Sequence, residues 1–144
     1  MYKRNPELFL FDILVAILKI KEIVKDIHTA ESLQRDFIKW DAVIREFEII
    51  GEAVNKLMKI GTLGEEKREI VDFRNILIHE YFGVDPEIVW SVIKKDLDNL
   101  FEDIVDVLKI SDRKTVLELI DFIEKENEYL DFIIEFLVDF RKSL

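Results

Sequence analysis

Along most of the chain, apolar residues recur at intervals of three and four, and its 144 residues include only four glycines and two prolines. That period returns side chains to one face of an α-helix, whereas a half-buried strand alternates at two. A fold of many short strands would also need far more turn residues than are present. The pattern therefore specifies an all-α protein, an antiparallel bundle of about five helices. With 49% hydrophobic and 36% charged residues, the chain has enough apolar material for one sizeable core and a charged exterior.

Five helical stretches can be placed. Asn5-Pro6 opens the first, with Asn5 at the N-cap and Pro6 at the first position. It runs towards His28-Thr29 and carries more apolar surface than a single stripe needs, because Phe9 and Leu10 join Leu8, Phe11, Leu14 and Ile17. His28 reads as a last-turn residue favourable to the helix dipole. A second stretch begins at Thr29–Ser32 and reaches about Met58, with a break expected before Asp36. Within it, Gly51 costs about 1 kcal/mol against alanine, and a glycine there permits the close approach of another helix. Glu48 and Glu52 lie one turn apart, with Arg45 in reach, either as a solvated charged face or as the wall of a site. Gly61-Thr-Leu-Gly64 marks an interhelical turn. A third helix starts near Glu65 and turns Ile70, Phe73, Leu77 and Tyr81 inward. Asp85-Pro86 opens the fourth, and Ser111-Asp112 opens a last region to Leu144 with Asn127 as a break point.

Charge and composition exclude several roles. The chain has no cysteine, which removes disulfides, thiol catalysis and cysteine-bound zinc, and fits a reducing cytoplasm. A net charge of −10 opposes a general nucleic-acid coat. Residues 85–144 hold 16 acids against 8 bases, so the acidity is mostly C-terminal. The half around Arg74, with Lys67 and Arg68 nearby, is close to balanced. Leu8–Ile20 follows basic residues but contains Asp12 and Lys19 and is too short to span a bilayer, so no membrane role is expected.

Chemistry-capable side chains gather in Asp72-Phe-Arg-Asn-Ile-Leu-Ile-His-Glu-Tyr-Phe-Gly83. An arginine can hold a phosphate and stabilise the charge that grows on it, and a histidine can move a proton at neutral pH. At about 100° per residue, Arg74 and Tyr81 share a meridian, while His79 falls beside Asn75 and roughly 140° from Arg74. One straight helix cannot point both into one pocket. Either the helix ends near His79, or a second copy of the chain completes the site. The set suits RNA cleavage by the ribose 2′-hydroxyl without a metal or other cofactor. A capped helix end with a buried Arg–Glu pair would account for the same residues without catalysis.

The motif Arg74-x4-His79-x-Tyr81 resembles the signature of HEPN-domain proteins. More narrowly, it is similar to the HepT-like toxins paired with small MNT-type nucleotidyltransferases. Ala42-Val-Ile-Arg-Glu-Phe-Glu-Ile-Ile-Gly-Glu-Ala53, Ile88-Val-Trp90 and the helix order between them agree over residues 8–108. The resemblance implies a helical bundle that dimerises around a shared cleft, and a metal-independent endoribonuclease with Arg74 and His79 catalytic. It implies that Asn75 supports the site, that Glu52 belongs to the matching Gly-Glu-Ala segment, and that Tyr81 is the tyrosine adenylylated by the antitoxin. It divides the chain into a HEPN-like domain over 1–110 and a C-terminal extension over 111–144, packed on the same domain or a dimer interface. Lys67-Arg68-Glu69-Ile70 departs from the pattern, since an aromatic residue is common there. The alternative is a non-catalytic HEPN module that binds nucleotides or a nucleotidyltransferase partner.

Overall fold

The computed structural model describes residues 5–80 and 83–144, and all regular structure in them is helical. The expected stretches are all present, and three of them are segmented. The first is α1 (Pro6–Val24). It stops a turn before His28, and the Asn5 side chain makes no capping hydrogen bond although Asn5 occupies the N-cap. The second divides into α2 (Ala30–Arg35) and α3 (Phe37–Lys59). Thr29 Oγ1 caps α2 by accepting from Ser32 N at 3.1 Å. Asp36 serves both helices, donating its N–H to Leu33 O and accepting from Lys39 N through its carboxylate.

A turn closed by Gly61, whose φ of 83° lies in the left-handed region, leads into the short 3₁₀ turn Glu65–Lys67 and α4 (Arg68–His79). The fourth stretch opens as α5 (Pro86–Ser91), capped by the Asp85 carboxylate. It passes through a π-helical turn at Val92–Asp96 and continues as α6 (Leu97–Lys109). Asp112 caps α7 (Arg113–Glu126), and Asn127 ends it as expected, so that α8 (Asp131–Ser143) folds back as a separate helix.

α1 is the centre of the bundle. Leu10, Phe11, Ile13, Leu14, Ala16, Ile17 and Ile20 are each 1% exposed or less, and they point around most of its circumference. A helix apolar on so many sides must be covered on all of them. It packs chiefly against α3, with α6, α7 and α8 closing its other faces. The α7–α8 pair therefore shares the core: Phe140 of α8 meets Phe11 edge-on at 6.2 Å and stacks on Phe136 at 5.6 Å. Arg141 ties the pair together through Asp121 at 2.7 Å and Glu124 at 2.8 Å. No helix among the described residues is long and apolar enough to cross a membrane.

Two outcomes follow. Phe140→Ala removes a buried ring from this shared core and should cost about 3–5 kcal/mol. Thermal unfolding should stay a single, earlier transition; an early partial melt that leaves the remainder untouched would show that α8 is not integral. Glu46 of α3 faces a cleft of about 270 Å³ walled by α1 and α7. Burial raises its carboxyl pKa above the ordinary 4.5, against the smaller opposing pull of Lys19 and Arg45. The folded state therefore favours the protonated acid: that stabilisation is complete below 4.5 and is lost as pH rises through the raised value. Glu46→Gln should melt higher than the parent at pH 7, and the advantage should vanish as the pH is lowered towards 4.

Candidate active site

The site-bearing motif lies on α4, which returns along α3 after the Gly61 turn. Val71, Phe73 and Leu77 are buried and anchor it, with Phe73 edge-on to Phe47 of α3 at 5.0 Å. This leaves Asp72, Asn75, Ile76 and His79 on the outer side, all exposed. Arg74 is intermediate, at the seam between the two faces.

Gly51 explains how Arg74 fits there. A Cβ at position 51 would lie 2.3 Å from Arg74 Cβ and 2.4 Å from its Cγ, separations that real Cβ atoms do not tolerate. The arginine stem thus lies directly on the α3 backbone, in space only a glycine leaves. The close approach expected at Gly51 is that of α4, and the residue it admits is the motif arginine. Arg74 Nε is buried and has no hydrogen-bond partner among the described residues. No carboxylate among them lies within 4 Å of the guanidinium, so the buried Arg–Glu pair offered as the non-catalytic account is not formed within the described residues. Arg45 instead takes Glu48, at 3.6 Å.

The remaining motif residues are distributed as follows. Glu52 follows Gly51 on α3 and is exposed. Asn75 neighbours Arg74 in sequence and is exposed. His79 is the last residue of α4: the Glu80 N–H bonds back to Ile76 O and the helix ends there. Arg74 and His79 both lie within α4, so the end of the helix after His79 does not by itself turn the two side chains to one side. The imidazole is exposed and makes no hydrogen bond to a described residue. Tyr81, and with it the expectation that it turns inward, falls outside the described residues. The signal that composition and spacing understate is the unpaired Arg74, which needs the Gly51 contact to be seen.

Residues 13–107 match the family model described as ribonuclease HepT-like. The chain belongs to the HepT-like ribonuclease family. It is 37% identical over 107 residues to a "Putative RNase" of Methanocaldococcus jannaschii, a match spanning 72% of this chain and 97% of that protein. A "Putative RNase" of Caldanaerobacter subterraneus subsp. tengcongensis is 36% identical over 74% of this chain and 96% of its own length. A "Probable ribonuclease HepT" of Thermococcus cleftensis is 39% identical over 68% of this chain and 91% of its own length. No solved structure gives a significant match. The HepT-like match contains α3, α4 and the whole Arg74–His79 segment, and it ends before α7 begins.

The Gly51 contact is testable on its own. Gly51→Ala should gain about 1 kcal/mol of helix propensity yet lose more by forcing α3 and α4 apart, for a net loss of about 1–3 kcal/mol in denaturant unfolding. Adding Arg74→Gly, which clears the clashing atoms, should recover part of that loss. Additive losses would mean that the two positions do not touch.

Proposed function

We propose that this HepT-like protein is a metal-independent endoribonuclease toxin, and that Arg74 and His79 carry the reaction. The observation that carries the reading is Arg74: its stem is fixed on Gly51, while Nε is buried and without a partner among the described residues. A guanidinium without a partner among the described residues, its stem held in place, is suited to receive a phosphodiester, and the exposed His79 lies five residues further along the same helix. The ribose 2′-hydroxyl attacks the adjacent phosphorus, and His79 of one protomer accepts its proton. The bond from phosphorus to the 5′-oxygen breaks, and that oxygen leaves with a proton supplied by a second imidazole. The products are a 2′,3′-cyclic phosphate and a 5′-hydroxyl. Arg74 stabilises the charge that builds on the phosphoryl oxygens.

Since the chain offers one histidine in the motif, the acid and base come from two copies around a shared cleft. A homodimer supplies them, and Ile76, one turn before His79 on the outer side of α4 and 48% exposed, gives that face apolar surface to bury. Asn75, one turn before His79 on the same side of α4, supports the site, and Glu52 lines the α3 wall. In this reading Tyr81 is the residue that an MNT-type nucleotidyltransferase antitoxin adenylylates, and the modification blocks the toxin. The protein works in the cytoplasm, with the 1–110 segment as the family domain and 111–144 as its extension.

Purified, partner-free protein incubated with total RNA and EDTA tests this directly. The parent should leave 2′,3′-cyclic ends, and His79→Ala should cleave about 10²–10⁴-fold more slowly while melting at the parent's temperature. Equal cleavage by both forms would remove His79 from the mechanism. Intact RNA with both, once intact mass had excluded modification of Tyr81, would point instead to a binding module.

A further inference from the structure

A second organised surface lies between α6 and α8. Its floor is aromatic: Phe101 and Phe136 meet edge-on at 5.1 Å, and Phe136 stacks on Phe140. These rings and Val105 form a cleft of about 440 Å³ whose rim includes Glu102, Asp106 and Asp139. The rim continues beyond the cleft as two ridges. Asp98, Glu102 and Asp106 recur every four residues along α6, and Asp131, Glu135 and Asp139 do so along α8; all six are exposed. At i,i+4 spacing each set stays on one side of its helix. The cations close to the cleft are few. Lys21 is held by Asp98 and sits 6.0 Å above the Phe101 ring, and Lys109 stands on the rim.

Asp98 and Asp131 stand in the first turns of their helices, where the dipole favours an acid. Glu102, Asp106, Glu135 and Asp139 lie beyond the first turn, and like charges four residues apart destabilise an isolated helix. Phosphate is repelled by both, which separates this surface from the RNA-directed face of α3 and α4. An acidic or neutral helix could bury its apolar side on the rings but would leave the carboxylates uncompensated. A basic one satisfies both demands: apolar side chains one turn apart enter between the ridges, and Lys or Arg on either side meets a row of carboxylates.

We propose that the α6–α8 groove docks a basic amphipathic helix of a protein partner. The Asp98–Asp106 ridge runs for about 12 Å at 1.5 Å per residue, enough for two turns of the bound helix. The family match ends at residue 107, and α8 begins at Asp131, so one wall of the groove lies outside the matched segment. The residues that line the groove are distinct from Arg74, Asn75 and His79.

The test uses the full-length protein and a labelled synthetic peptide of about 14 residues, leucine on one helical face and lysine on the others, read by fluorescence anisotropy. The parent should bind it, and raising the salt should weaken the complex. Glu102→Lys/Asp106→Lys/Asp139→Lys should lose about tenfold or more in affinity. A control with the same charge change elsewhere, Asp41→Lys/Glu118→Lys/Glu128→Lys, should bind much as the parent does. Circular dichroism confirms that both triple variants are folded. A peptide with its leucines replaced by serine should not bind, because the aromatic floor then has nothing to bury. Three results would overturn the proposal: no binding by the parent, equal losses in the two triple variants, or a parent dimer that the groove substitutions dissociate. The last would mean that a second copy of the chain covers the groove.

Discussion

The bundle depends on the burial of α1 around most of its circumference. A helix with Phe11, Ile13, Leu14, Ile17 and Ile20 all removed from water cannot lie on a surface, so the other helices are disposed around it. α3 takes one face and carries α4 on its outer side, α6 takes a second, and α7 with α8 takes what is left. At about 25 cal/mol per Å² of apolar surface, leaving any of these faces open would forfeit several large side chains at once. The α7–α8 pair is therefore part of the same hydrophobic core as the rest.

The layered order also decides where chemistry can occur. α4 is two layers from the centre and needs only one side buried, so Val71, Phe73 and Leu77 suffice to hold it. Its outer side is free to carry polar groups. Arg74 sits at the seam, and Gly51 lets its stem reach the backbone of α3. An arginine fixed by its aliphatic portion keeps its guanidinium in one place without an acid to hold it. Pairing with Glu48 or Glu52 would have neutralised that charge. The separation of charge over the molecule agrees with this: the unpaired cation lies on the α3–α4 face, and the acidic ridges lie on α6 and α8.

Much of this was legible in the sequence because it rests on period and punctuation. Helical spacing specified the fold class, and Pro86, Asp112 and the Gly61 turn marked element ends that the structure retains. The missed features have local causes. α1 stops at Val24 rather than near His28, although the new helix opens at Thr29 as expected. The break expected before Asp36 is present; apolar spacing does not register that Asp36 both closes α2 and opens α3. The π-helical turn at Val92–Asp96 leaves the apolar pattern intact while shifting its phase, so α5 and α6 read as one helix. For the site, residue types and spacing marked the Arg74–His79 segment and Gly51 separately. Their contact is tertiary, and no pattern within either helix could join them.

That contact has a consequence for how such chains diverge. A helix-interior glycine is ordinarily free to drift to alanine, which improves the helix. At position 51 the drift is blocked by the stem of Arg74, which supplies the three nearest atoms that a Cβ there would meet. The two positions, 23 residues apart, thus behave as a single inherited character. A descendant that keeps the arginine keeps the glycine, and one that loses the arginine's stem is released from it. Alanine or a larger residue at position 51 is then a mark, readable without any structure, of a lineage in which α3 and α4 have rearranged and the arginine no longer occupies this seat.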